Sequence, residues 1–298
     1  MRTPQTFAVG GLRCHLIHAG LQRLDGGAMF GVVPKPLWSR RIAPDERNRI
    51  PLAMRVLLVE HPDGLVLVDT GLGDKEDPKF LGIYGVENAG SPGPTLLEDG
   101  LRALGRRPEE VRWVINTHLH FDHAGGNTLS DGAGGTRLAF PGATYLVQRN
   151  ELEFARHTNE RTRASYLPPN FEPVDAAGRW RLLDGDGEVL SGISVRLTPG
   201  HVPWHQSIVV RDGAEVLCFL GDVMPTTHHL PLPWIMGYDL EPLRTLESKR
   251  ALLAEAGREG WLLAFEHDPE VGLARVGLEG GKPVLQPGAG DRRERGRA

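Results

Sequence analysis

The chain of 298 residues has only two cysteines, Cys14 and Cys218. Two thiols exclude a disulfide framework and an all-thiolate zinc site. Both lie in apolar, strand-like runs and read as buried, reduced side chains. Long apolar runs are missing too. No segment approaches the roughly 18 apolar residues that a membrane span requires. The opening MRTPQTFAVGGLRC lacks the basic stretch and apolar core of a secretory leader. The expectation is a cytoplasmic protein with no membrane partner. Basic charge is not in excess: 34 Lys and Arg against 38 Asp and Glu leave a net charge of −4. No overall field exists to attract nucleic acid, and none is expected as a partner. The Gly-x-Ser-x-Gly elbow of serine hydrolases is also absent. What remains is globular: 40% hydrophobic and 24% charged residues, enough to bury a sizeable core.

Chemistry concentrates in Asn116 to Asn127, NTHLHFDHAGGN. His118, His120, Asp122 and His123 fall within six residues. The apolar run from Val111 to Ile115 leads in, and Gly125 and Gly126 follow, so the pattern predicts a buried strand delivering a liganding loop. His118 and His120, two apart on an extended backbone, point to one side. Asp122 and His123 can serve a neighbouring position. Imidazole with carboxylate suits Zn, Fe or Mn.

The motif resembles the His-x-His-x-Asp-His of the metallo-β-lactamase superfamily. Further matches follow in order: Asp69 in VLVDTGLG, His201 in TPGH, Asp222 in FLGD and His267 in FEHD. The resemblance implies an α/β (α+β) fold, the four-layer αβ/βα sandwich. It also implies two divalent metal ions, zinc first, with Fe or Mn as alternatives. His118, His120 and His201 would hold one; Asp122, His123 and His267 the other; Asp222 would bridge them. Asp69 would organise the backbone beside the metal loop rather than ligate. Such a pair generates a bridging hydroxide at neutral pH and polarises a carbonyl or phosphoryl oxygen. Asp122 and Asp222 are the expected catalytic carboxylates, Asp122 passing a proton through its free oxygen.

For the substrate, the run from HLHFDHAGGN to TPGHVPWHQS looks most like the lactonases that open N-acyl homoserine lactones. Known members carry a substrate-binding Tyr three residues after the bridging Asp; here that position is Pro225, with Tyr238 the candidate replacement. Organophosphate or phosphotriester hydrolases and glyoxalase-II-like thioester hydrolases share the metal set. Iron-dependent sulfur dioxygenases, and members that keep the fold only as a binding module, are the other classes. One iron with oxygen uptake, against two zinc-like ions, separates the oxidoreductase reading from the hydrolase.

One domain is expected over 1–283, with a disordered tail over 284–298. Residues 20–51 are rich in Gly, Pro and charge and read as an irregular loop over the cleft. Its Met29, Phe30 and Trp38 are candidate pocket residues, with Trp234 and Tyr238 from a second apolar wall. Residues 72–94 read as a loop beside the site, and 161–179 as an irregular excursion that could form part of a lid. The predicted last helix, Glu241 to Ala256, has Leu243, Leu246, Leu252 and Leu253 inward and Gly257 as its cap. Trp261 to Phe265 is the predicted last core strand. The apolar loops could instead cover a homodimer interface.

Overall fold

The computed structural model describes residues 3–287. The first half builds β1 (Gln5–Val9), β2 (Leu12–Asp25), β3 (Arg49–His61), β4 (Gly64–Val68) and β5 (Val111–Ile115). A small hairpin, β6 (Thr128–Ser130) and β7 (Thr136–Leu138), precedes β8 (Thr144–Gln148) and β9 (Trp180–Leu183). One seven-stranded sheet has the order β1-β2-β3-β4-β5-β8-β9. The second half builds β10 (Gly187–Leu190), β11 (Ile193–Leu197), β12 (Gln206–Asp212), β13 (Glu215–Phe219), β14 (Leu262–Ala264), β15 (Leu273–Glu279) and β16 (Lys282–Pro287), a second seven-stranded sheet in sequence order.

Strand alternation explains how the sheets stack. In β3, Leu57 and Val59 join the core shared with Ile193, Val210, Leu217 and Phe219 of the second sheet. Val56 and Leu58, which alternate with them, face the other way and meet Leu97 and Leu101. The period of two sends neighbours to opposite faces. Cys218 and Leu263 likewise turn outward, against Leu252, Leu253 and Ala256. Along the chain the helices are α1 (Gly26–Phe30), α2 (Lys35–Trp38), α3 (Pro78–Tyr84), α4 (Leu96–Ala103), α5 (Phe121–Ala124), α6 (Arg149–Arg156), α7 (Glu172–Ala176) and α8 (Pro242–Glu259); α4 covers the first sheet and α8 the second. Helix, sheet, sheet, helix is the four-layer sandwich anticipated. Cys14 and Cys218 are buried and free. Among the described residues, no helix is long and apolar enough to cross a membrane.

Several expectations are corrected. Residues 20–51 are not an irregular loop. β2 continues through Asp25, paired with β3 across a register shift between His18 and Gly20. The bulge hides the alternation from a composition-based reading. Asp25 then caps α1, its carboxylate accepting from Ala28 N at 2.8 Å. Residues 72–94 hold α3, capped by Asp77, and 161–179 hold α7. Leu243 is 75% exposed, not on the inner face of α8. That helix stops at Gly260, whose left-handed φ of +67° closes it, rather than at Gly257. The second sheet does not end near Phe265, since β15 and β16 follow. The expected tail begins as strand: residues 284–287 belong to β16. The rest of that tail lies outside the described residues.

Candidate active site

The candidate ligands emerge where strands end. β4, β5 and β8 run parallel, so Asp69, the His118–His123 loop and Glu151 leave the same edge of the first sheet. β13 and β14 are also parallel, and Asp222 and His267 follow them. Loops beyond the carboxyl ends of parallel strands are where such sheets place their sites. Two glycines set the return path. A Cβ on Gly125 would sit 2.1 Å from Leu72 O, and one on Gly126 2.1 Å from Thr70 O.

All seven expected ligands converge. Potential donor atoms of His118, His120 and His201 lie within 4.8 Å of one another, as do those of Asp122, His123 and His267. Asp222 stands between the groups: Oδ2 is 3.2 Å from His201 Nε2, and Oδ1 is 3.1 Å from His267 Nε2.

Hydrogen bonds behind the imidazoles fix their tautomers. His123 Nδ1 faces Asp69 Oδ2 at 3.1 Å, His201 Nδ1 faces Asp239 Oδ1 at 3.0 Å, and His267 Nδ1 faces Ala53 O at 2.7 Å. Thr117 Oγ1 donates to Asp69 Oδ2, so it accepts from His118 Nδ1 at 3.0 Å. Each ring thus commits its Nδ1 proton and turns its Nε2 inward, the atom that would face an ion. Asp69 itself has φ +55°. It also accepts Thr117 N at 2.7 Å, which makes it the organiser of the loop.

Electrostatics divide the rings: two are kept neutral, while, against burial, His123, His201 and His267 are raised by the carboxylates around them. Burial, then the neighbouring imidazoles, hold His118 and His120 well below the ordinary histidine range, so both are neutral donors. Burial opposes charge on His267, but Asp222 outweighs it and lifts the ring to about 9. Burial also opposes the Asp222 carboxylate, yet His267, His201 and His123 hold it well below its usual range.

Whether divalent ions fit here can be tested on these atoms. His118 Nε2 and Asp222 Oδ1 are buried without a hydrogen-bond partner. Asp222 Oδ1 has His267 Nε2 close by but out of hydrogen-bond alignment. Leaving a buried polar atom unpaired costs about 1–3 kcal/mol. His123 and His267 bring their Nε2 atoms to 3.1 Å of one another; against burial, neighbouring carboxylates raise both rings, so without an ion the cluster gathers protons there that a divalent cation would displace. A cation between them resolves both problems, so the donor set fits.

The sequence reading missed several residues. Glu151, fully buried, accepts Leu119 N at 3.0 Å and Tyr166 OH at 2.9 Å. It pins the residue between His118 and His120. Burial raises its carboxyl to about 7. The Tyr166 ring lies 4.7 Å from that of His120. His205 Nε2 accepts the backbone N–H of Asp222. Gln22 Nε2 donates to Asp122 Oδ2. Glu266 Oε2 is 3.1 Å from His123 Nδ1. Only His205 and Glu266 carried a signal, being beside the TPGH and FEHD motifs.

A cleft of about 450 Å³ opens onto the cluster. Leu24, Ala28, Met29, Leu52, Met236 and Leu240 form its apolar wall; Tyr84, Arg161, Thr162, Ser165 and Tyr238 add polar groups. Of the anticipated pocket residues, Met29 and Tyr238 line it. Phe30, Trp38 and Trp234 do not, because they pack together behind the wall: Phe30 stacks on Trp38 at 5.5 Å and meets Trp234 edge-on. His229 stacks on Phe30 and donates to Met29 O, away from the ligand cluster. Pro225 is buried, its carbonyl accepting His267 N at 3.0 Å.

Comparison with known proteins agrees with this geometry. Residues 52–267 match the metallo-β-lactamase superfamily. An N-acyl homoserine lactonase from a Bacillus species is 31% identical over 224 residues, 72% of this chain and 80% of that protein. A probable metal-dependent hydrolase from Staphylococcus aureus superposes with a TM-score of 0.85 at 27% identity, over 95% of this chain and all of that one. A solved N-acyl homoserine lactone hydrolase, with N-hexanoyl-L-homoserine at its catalytic metal centre, gives 0.65 at 25% identity, over 89% of this chain and 95% of that one. With its ligand-forming loops at the strand ends, the chain belongs to the metallo-β-lactamase superfamily, as a metal-dependent hydrolase close to the lactonase branch.

Proposed function

We propose that the protein is a dizinc lactonase that opens the ester ring of N-acyl homoserine lactones. The observation that carries this reading is the cleft: one wall is apolar, as an acyl chain needs, and its floor is the double ligand cluster. Lactonase relatives point the same way.

His118, His120 and His201 would hold one ion, Asp122, His123 and His267 the second, with Asp222 shared. Ions there supply a water acidic enough to ionise near neutral pH and an electrophile for the carbonyl oxygen. The chain's own residues do the rest. Leu24, Met29, Leu52 and Met236 bind the acyl chain and exclude water from it. Tyr84 and Tyr238 supply hydroxyl donors in place of the one that Pro225 lacks; burial, first, keeps both phenols protonated, Tyr238 at about 12. As water adds to the carbonyl and the ring C–O bond breaks, Asp122 takes the water's proton and returns it to the leaving alkoxide.

The test is proton release by zinc-loaded protein given an N-acyl homoserine lactone of medium chain length, with Asp222→Ala as blank. Acid production well above the blank is expected. None above blank would remove lactone opening and move phosphotriesters and thioesters to the front.

A further inference from the structure

Gln22 lies in the C-terminal part of β2, fully buried, paired with Leu52 on β3. Both line the cleft. Gln22 Nε2 is 2.5 Å from Asp122 Oδ2. An ionised carboxylate only accepts, so the amide must present its NH2 to Asp122. Gln22 Oε1 is buried too and has no hydrogen-bond partner. The amide therefore does not knit one backbone segment to another. Met or Leu would fill the same space without stranding a carbonyl. Packing gives no reason for a glutamine here, whereas Asp122 does.

Asp122 can turn either oxygen to the cluster. Oδ1 is 3.8 Å from His123 Nε2, and Oδ2 is 3.7 Å from His267 Nε2. We propose that Gln22 is a positioning residue for Asp122: its amide claims Oδ2, so that Oδ1 alone is presented to the second metal position. This deepens the proposed function, since it rests on Asp122 being a ligand there. It adds a group outside every metal-binding motif, supplied by a strand 100 residues away. A carboxylate held in this way keeps one rotamer, and metal affinity depends on such outer partners.

The test uses the full chain, stripped of metal and titrated with zinc alone against a chromophoric chelator, with circular dichroism to check folding. Gln22→Met is expected to fold, bind its first zinc as the wild type does, and bind its second about 10–100-fold more weakly. Gln22→Glu is expected to weaken the second zinc at neutral pH, where two carboxylates face each other. Relative to wild type at the same pH, it recovers as acid protonates the new side chain and restores a donor. A structural role would give no such recovery. Wild-type second-zinc affinity in Gln22→Met overturns the proposal. If that variant does not fold, a pH-independent ratio in Gln22→Glu overturns it, as does failure of both to fold. The titration contains no substrate, so a failed lactone assay leaves the zinc result standing.

Discussion

His205 accepts the backbone N–H of Asp222 on Nε2 at 3.0 Å, and its Nδ1 faces Thr198 Oγ1 at 2.8 Å. The proton directions then follow one from the next: His205 donates to Thr198, Thr198 to Ser207 at 2.9 Å, and Ser207 to Leu220 O at 2.9 Å. Burial, first, then the His201 ring, hold His205 down at about 3, so it stays neutral. A histidine beside the ligand cluster thus serves as an acceptor that fixes the residue whose carboxylate is expected to bridge both ions. His205→Phe keeps the ring and loses the acceptor. Both zinc ions are expected to bind about 10–100-fold more weakly, in contrast to the single site affected by Gln22. Unchanged zinc affinity of both sites would show that Asp222 needs no such anchor.

Trp38 is an indirect support for the apolar wall. It is fully buried and so close to Gly26 that a Cβ there would be 2.4 Å from the indole. Trp38→Ala is expected to cost about 3–5 kcal/mol in denaturant unfolding. It should also raise KM for medium-chain substrates through the neighbouring Met29, with a smaller change in kcat. Equal stability of the two proteins would contradict the packing described.

Lys249 ties α8 to the loop beside the cleft, donating to the carbonyls of His229, Pro231 and Trp234. Burial lowers its amine from 10.5 to about 7, against the pull of Asp239. Between those values the unfolded chain holds a proton that the folded one has released, leaving the amine two N–H groups for its three carbonyls, so this group makes stability rise with pH over that window. Lys249→Met should flatten the slope of Tm against pH from about 7 to 10. An unaltered slope would mean the amine stays charged in the fold.

Chelation is expected to lower Tm, because without an ion the cluster keeps buried polar atoms such as His118 Nε2 and Asp222 Oδ1 without a hydrogen-bond partner. Restoring free zinc to 100 times its Kd should return about 2.7 kcal/mol per site. Differential scanning fluorimetry with and without zinc checks this; coincident transitions would count against metal binding by the native state.

The legible part of the site was local. His118 to His123 sit on one strand end, so their spacing alone exposes them, and Asp69, His201, Asp222 and His267 each end a strand-like run. Their supports were not legible. Glu151 reaches Leu119 across 32 residues, Asp239 reaches His201 across 38, and Gln22 reaches Asp122 across 100. No local pattern marks such pairs. The apolar runs 54–60 and 65–68 read as strands, and so did 12–18 of β2, but its continuation to Asp25 did not, because the register shifts between His18 and Gly20. Leu243 shows the opposite failure: helical spacing was real, but it lies at the exposed start of α8.

The division of the chain into two sheets has a further consequence. Of the seven proposed ligands, those from His118 to His123 follow the first sheet and His201, Asp222 and His267 follow the second. The turn between β9 and β10, residues 184–186, is where the sheets separate along the chain. Cutting there would leave two fragments, neither with a complete coordination set for either ion. Zinc would then act as the glue of fragment complementation, and hydrolytic turnover would be a readout of reassembly.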